Sequence, residues 1–362
     1  MALGEQLHMT TPGVATGGAE TPVVDDVDIL ADTRWDELVA GTDGSLFSSR
    51  RWLSVLKEVY GFEFRARVLV QDGVITGGVP YSVIDDMRGR RVVSLPFCDF
   101  NDPFVNSSSD WLQLTADLFE DGVPALFRTR EHPAISADNR LTTTPVGVSH
   151  QLDATTAPDE SFAGFATLPK RMIRRADSEG LVTRVTTSRE SLRAFFDLHL
   201  NVRKYRHRLL AQPYELFEQI AEQYFDRGDG AIVGSWSGDQ FAGGCLILVE
   251  GDTAYYKFSA SHPDHRRSGV SHVTLFEGLR YAHELGLQRY DLGRSDLEPP
   301  GLVDFKRRFR PAERNLVTHT RPGHTTTAAQ NPLGDLTSLF VQADVPDSIT
   351  AEAGRLLYRY FA

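Results

Sequence analysis

Between residues 65 and 84 apolar and polar positions alternate with a period of two, as in strands that bury one face. Arg65 to Gln71 forms one run, Asp72-Gly73 a turn, and Val74 to Ile84 a second run with the pair Gly77-Gly78 inside it. The plan returns later in the chain. Ala231 to Trp236 reads as a strand, Gly238-Asp239 as a turn, and Gln240 to Leu248 as a second strand carrying Gly243-Gly244, followed by a third from Ala254 to Ser261. A stretch of helical period precedes each meander: one from Ser49 with Trp52, Leu53, Leu56 and Val59 on one stripe, the other from Pro213 with Leu216, Phe217, Ile220 and Tyr224. Glycine inside a strand marks a bulge or a close backbone approach. A packing bulge would explain either pair alone, but two copies in matching contexts predict a duplicated domain.

Beyond the second meander, Arg266-Arg267-Ser268-Gly269-Val270-Ser271 reads as a short loop opening a helix with Val273, Phe276, Leu279, Ala282 and Leu285 on its stripe. Gly286 stops that helix and Arg289 to Gly293 forms a strand. The expected organisation is a disordered leader over 1–28, two α/β domains over 29–161 and 162–322, and a linker with a terminal helix over 323–362. Each domain should hold a mixed, mostly antiparallel sheet flanked by helices.

Charge and cysteine usage narrow the function. The net charge of −11 argues against a protein that coats nucleic acid, and it does not favour a tRNA-borne donor. Residues 170–208 run against this balance, with eleven Lys or Arg from Lys170 to Arg208; they form either an anion site or solvated helix faces. Cys98 and Cys245 stand far apart without ligand spacing, so neither a disulfide framework nor a metal site is expected. The first 28 residues lack the basic start and apolar stretch of a signal peptide, and no run reaches the roughly 18–20 apolar residues of a spanning helix. The expectation is a soluble, cytoplasmic protein.

Two constellations carry chemistry. Arg266 to Ser271 lies at a helix start, where unpaired N–H groups and the positive end of the helix dipole favour an anion and Gly269 lets a phosphate approach. It resembles the acyl-CoA pyrophosphate loop of GNAT acyltransferases, with Ser271 in the last small position; an ordinary basic loop is the alternative. The second is Asp291-Leu292-Gly293-Arg294-Ser295 followed by Gly301-Leu302-Val303-Asp304-Phe305-Lys306-Arg307-Arg308-Phe309. This Asp-x-Gly-x-Ser … Gly-x-x-x-Phe-Lys-x-x-Phe pattern resembles the C-terminal signature of the Fem-type peptidyltransferases and related GNAT-like proteins of cell-envelope and polysaccharide synthesis. Phe47 to Trp52, Ser94 to Phe97 and the basic helix at Lys170 to Ala176 agree with that family. The resemblance spans roughly residues 47–311.

The resemblance implies two GNAT-like domains in tandem and transfer of an acyl or aminoacyl group, from acyl-CoA or aminoacyl-tRNA as co-substrate, to an amine on an envelope or polysaccharide precursor. Lys306 maps to the family's reaction-site lysine, where a cation would meet the oxygen that turns anionic; Asp291 is the candidate that orients the amine or takes its proton. Gly243, Lys257, Arg266, Gly269 and Ser271 are candidates for the donor. Asp99, Asn101, Arg203, Lys204, Arg294, Ser295 and Phe305 are candidates for the acceptor. No metal and no DNA are expected, and charged tRNA is a possible partner. The chain departs from the family in having Arg310 where glycine usually follows the motif, and in lacking the long coiled-coil insertion some members use to engage tRNA. A catalytically inactive module that binds such a precursor is the rival reading.

Overall fold

The computed structural model describes residues 22–42, 44–119, 122–323 and 332–362. Twelve strands form a single sheet: β1 (Val23–Asp28), β2 (Arg65–Gln71), β3 (Val74–Asp86), β4 (Gly89–Val93), β5 (Ala125–Arg130), β6 (Thr142–Asp153), β7 (Val182–Thr186), β8 (Gly230–Ser237), β9 (Gln240–Glu250), β10 (Thr253–Ser261), β11 (Arg289–Asp296) and β12 (Ala312–Arg321). The helices are α1 (Arg34–Ala40), α2 (Arg50–Tyr60), α3 (Ser108–Leu114), α4 (Pro133–Ser136), α5 (Pro158–Gly164), α6 (Thr167–Ser178), α7 (Arg189–Asn201), α8 (Tyr214–Ile220), α9 (Val270–Glu284), α10 (Gly301–Arg307), α11 (Pro332–Phe340) and α12 (Asp347–Leu357).

The strand order β1-β2-β3-β4-β5-β12-β6-β11-β10-β9-β8-β7 is a palindrome of two six-strand units that have exchanged their last strands. Among the described residues each unit has one parallel pairing, the fourth strand with the fifth, β4 with β5 and β10 with β11. Bulges break the β2–β3 and β8–β9 ladders at Leu69/Val70 and Ser235/Trp236, so the repeated Gly pairs occupy like places. Their reason is close approach. A Cβ on Gly77 would lie 2.9 Å from the carbonyl oxygen of Phe104, and one on Gly243 (φ 149°) 2.6 Å from that of Ala260.

One sheet face carries α2, α7 and α8 over a core shared by both units, including Trp52, Phe195, Phe217 and Tyr224. The opposite face carries α3 over one unit and α9 over the other, around Trp111 and around Phe276 and Tyr290. α2 forms where the sequence allows it to start and stop. The Ser49 side chain accepts a bond from the Trp52 N–H, and Gly61 ends the helix in the left-handed conformation.

Two expectations need correction. Residues 23–28 are an edge strand and no part of a leader, because Asp26, an acid that reads as disorder, takes hydrogen bonds from Arg65 (2.7 Å) and the Tyr81 hydroxyl (2.6 Å); residues 1–21 lie outside the described residues. The segment after Gly323 holds a hairpin, α11 with α12, and not one terminal helix; Leu210, Val341 and Ala353 pack beneath it.

Candidate functional site

β10 and β11 pair only from Thr253/Arg289 to Tyr255/Asp291, then part. Each strand carries a bulge where they separate, at Tyr256/Phe258 and Asp291/Gly293. α10 packs on the α9 side of the sheet, and Lys306 extends from it toward this gap. Its ammonium donates to the carbonyls of Gly293 (3.1 Å) and Arg294 (2.9 Å), and the residue is 3% exposed. Burial pulls the ammonium down to about 8, against the attraction of Asp99 and Asp291.

The other side of the gap opens into a cleft of about 440 Å³ between the units. The first unit supplies Trp52, Leu56 and Tyr60 from α2 with Phe97 to Asp99. The second supplies Lys257 to Ser259 from β10 and His199, Arg203 and His207 from the end of α7 and the π-helical turn after it. Lys257 lies 4.4 Å above the Phe47 ring and 3.4 Å from Asp99 Oδ1. Asp99 Oδ2 accepts from the Arg294 N–H at 3.3 Å. Burial raises the Asp99 carboxyl, but the ammoniums of Lys257 and Lys306 outweigh it and hold the group below its ordinary value. Asp291 responds in the other direction. Burial pushes it up to about 6, opposed by the Gly293 N–H that it accepts at 2.6 Å. Two lysines and two carboxylates thus meet around one gap, and the two carboxylates are displaced in opposite directions, the arrangement that acid–base chemistry requires.

The first unit has no such gap. Beyond the β4–β5 pairing, the Arg128 backbone N–H donates to Ser94 Oγ (3.0 Å), and Arg130 is paired with Asp102 through its backbone N–H (2.7 Å) and guanidinium. The duplication is therefore asymmetric: one unit is closed, the other open.

The structure brings Lys306, Asp291, Lys257, Asp99, Arg203 and the Arg294 backbone to the gap and cleft, and leaves other candidates elsewhere. Lys204 is fully buried and turned away, its ammonium on the Val345 carbonyl and Asp347 Oδ1 (2.7 Å). Asn101 holds the Phe47–Ser48 turn, its amide nitrogen 3.4 Å from the Phe47 carbonyl. Ser295 is buried against His150 Nε2 (3.1 Å), and Phe305 packs on His272 and Phe309. Gly243 serves the β9–β10 approach described above. At the loop before α9, Arg266 is exposed and Ser271 Oγ is bonded to Ser261 Oγ (2.8 Å), but Gly269 is covered by α6: a Cβ there would fall 2.1 Å from the Met172 carbonyl oxygen. His199, one of the histidines considered as a base, is buried on Gln212 and pushed down to about 4 by burial.

Sequence reasoning missed Arg128 and the aromatic wall of Tyr60, Phe97 and Tyr358. Arg128 donates to the Cys98 carbonyl (3.2 Å), and burial together with Arg294 lowers its proton affinity. Alternation in Ala125 to Arg130, with Phe127 and Thr129 buried, was the signal that its charged face needed a partner. The wall joins three distant segments and left no local signal.

Residues 169–307 match the family model described as an acetyltransferase (GNAT) domain. A 73-residue stretch is 36% identical to a lipid II:glycine glycyltransferase of Staphylococcus epidermidis, covering 18% of this chain and 18% of that protein. FemX superposes with a TM-score of 0.61 at 14% identity over 88% of this chain and all of FemX. Residues 169–307 therefore carry a GNAT domain, and the chain shares the fold of FemX. A tandem GNAT protein from the clavulanic acid biosynthesis pathway also shares the fold, with a TM-score of 0.51 at 14% identity, over 84% of this chain and all of that one. The match to the lipid II:glycine glycyltransferase spans less than a fifth of that enzyme's length. Among the described residues no group of side chains is placed to hold a metal, and no helix is long and apolar enough to cross a membrane.

Proposed function

We propose that this protein transfers, as a Fem-type enzyme, an aminoacyl or acyl group from an activated donor to an amine on a cell-envelope or polysaccharide precursor. The observation that carries the reading is the buried Lys306 ammonium in the β10–β11 gap, beside a cleft to which both units contribute. The acceptor amine sits at Asp99 and Asp291, and Arg203 faces the anionic part of the precursor. The nitrogen attacks the donor carbonyl and the acyl–nitrogen bond forms. Charge gathers on the carbonyl oxygen, where Lys306, held away from water, stabilises it. Asp291 accepts the nitrogen's proton as the acyl–oxygen or acyl–sulfur bond breaks, and that proton passes on to the leaving oxygen or sulfur, which returns Asp291 to its ionised form.

The cover of α6 over Gly269 favours an aminoacyl-tRNA ester over acyl-CoA, since a CoA pyrophosphate would need the N–H groups at the start of α9. Transfer by Lys306→Met should fall about 10²–10³-fold in kcat with little change in KM, the scale of losing one oxyanion donor. An unchanged kcat in a folded variant removes the assigned role. The donor is tested separately: acetyl-CoA should leave the melting temperature unmoved while RNase abolishes aminoacyl transfer, and a CoA-dependent rise in melting temperature would reverse that choice.

A further inference from the structure

α10 straddles β6. On one side Lys306 reaches β11, where its ammonium donates to the Gly293 and Arg294 carbonyls. On the other side Arg307 reaches β12, where its guanidinium donates to both oxygens of Glu313 (2.9 and 3.0 Å). The strand between them carries His150, opposite Gly293 in one ladder and opposite Glu313 in the other. Its ring closes the circuit. Nε2 lies 3.1 Å from Ser295 Oγ, on the residue after Arg294. Nδ1 lies 3.2 Å from Glu313 Oε1, off the line of a good hydrogen bond but close enough for the carboxylate to favour the Nδ1–H tautomer. The Ser295 hydroxyl then donates to Nε2. Burial, with Lys306 and Arg307 nearby and against the pull of Glu313, pushes the His150 imidazole down to about 4, so the ring stays neutral.

Ser, His and Glu in that order are the parts of a nucleophilic triad. Burial excludes that use: Ser295 is 1% exposed and His150 wholly buried, so no donor carbonyl reaches the hydroxyl. What the circuit fixes is Lys306. An ammonium has three N–H donors, and the carbonyls that follow the β11 bulge take two, which leaves the third for a ligand. The Ser295–His150 contact ties β11 down directly after those carbonyls, and the Arg307–Glu313 pair ties α10 down one residue after Lys306. We propose that His150 is a positioning residue for Lys306, holding β11 and α10 at the spacing that seats the ammonium on the Gly293 and Arg294 carbonyls. The inference rests on reading Lys306 as the group that meets the donor's carbonyl oxygen. His150 lies on β6, one of the exchanged strands, so the seat of Lys306 depends on both halves of the chain.

Lysine occurs at five positions, Lys57, Lys170, Lys204, Lys257 and Lys306. Carbon-13 labelling of the lysine ε-carbons therefore gives a simple spectrum whose titration is read without substrate, and the signal missing from Lys306→Arg is that of Lys306. The wild-type midpoint should lie at about 8. His150→Ala opens a cavity between the Ser295 hydroxyl and the Glu313 carboxylate, which admits water toward the ammonium and should raise the midpoint to about 9. Ser295→Ala should move it in the same direction. The other charges facing Lys306, on Asp99, Asp291, Lys257 and Asp296, are the same in both variants. In transfer assays both should lose kcat at little-changed KM, His150→Ala on the order of 10²-fold, and the alkaline limb should follow the midpoint. A midpoint that keeps its wild-type value in the folded variants overturns the proposal and leaves His150 a packing residue; so does an unchanged kcat in an active enzyme. Ser295→Ala removes one hydroxyl and carries the test if His150→Ala does not fold. Absence of transfer by the wild type counts against the proposed reaction, and the titration still decides the positioning of Lys306.

Discussion

At the scale of single residues, the site is governed by two opposed effects of burial. Removing a charge from water raises a carboxylate and lowers an ammonium, and Asp291 and Lys306 move toward each other, to about 6 and about 8. The proposed roles need the first ionised and the second protonated. Activity must therefore fall as pH drops through about 6, where Asp291 takes up a proton, and fall again as pH rises through about 8, where Lys306 loses one. A bell-shaped profile of kcat/KM with those limbs is expected. Asp291→Asn should remove the acid limb along with most of the rate. A profile flat across both limbs, with chemistry rate-limiting, would separate these two groups from the reaction. Lys306 was singled out in the sequence by the resemblance of its Phe-Lys pair to the Fem-type signature, and Asp291 as a strand-end acid that could equally have been structural. Their proton affinities were not legible there, since these depend on Asp99, which lies nearly two hundred residues from Asp291 along the chain.

At the scale of elements, the basic run over 170–208 shows why charge in sequence underdetermines use. Its lysines and arginines are put to different uses: α6 holds Arg171 and Arg174 in solvent, Arg189 and Arg193 pair with Asp226 and Asp197, Arg203 faces the cleft, and Lys204 is turned under α12. Arg203 and Lys204 are consecutive in the π-helical turn over Val202–His207, and their side chains leave it in different directions. Lys204 thus clips the C-terminal hairpin, and Lys204→Met should cost about 2 kcal/mol in urea unfolding, the scale of charge-assisted hydrogen bonds lost. Amide exchange should quicken over α12 first. Transfer by the folded variant should be unchanged; a specific rise in acceptor KM would instead restore the acceptor-binding role expected from sequence. The hairpin itself was half legible: α12 has a stripe, whereas α11 follows a Thr-rich stretch that reads as linker and only declares itself by packing Leu333 and Val341 inward.

At the scale of the whole molecule, the repeated Gly-Gly meander announced the duplication, but nothing local announced the exchange of last strands. Both β6 and β12 alternate like ordinary strands, and a strand's choice of neighbour is set by the sheet it joins. The consequence is mechanical. β12 lies between β5 and β6, while β6 pairs with β11 and β12, so neither unit can close its sheet alone. Residues 22–161 by themselves would leave β5 and β6 without the partners that separate them, and residues 162–323 would leave β11 and β12 with open edges. The cleft obeys the same logic: its walls come from α2 and the 97–99 segment on one side and from β10 and the end of α7 on the other, so alignment of Asp99 with Lys257 depends on the exchange. Each unit expressed alone should lack a cooperative thermal transition, while the two expressed together should assemble into a complex that melts cooperatively and recovers part of the transfer activity. A single unit that melts cooperatively as a monomer would show that the exchanged strands follow folding of the units and do not complete it.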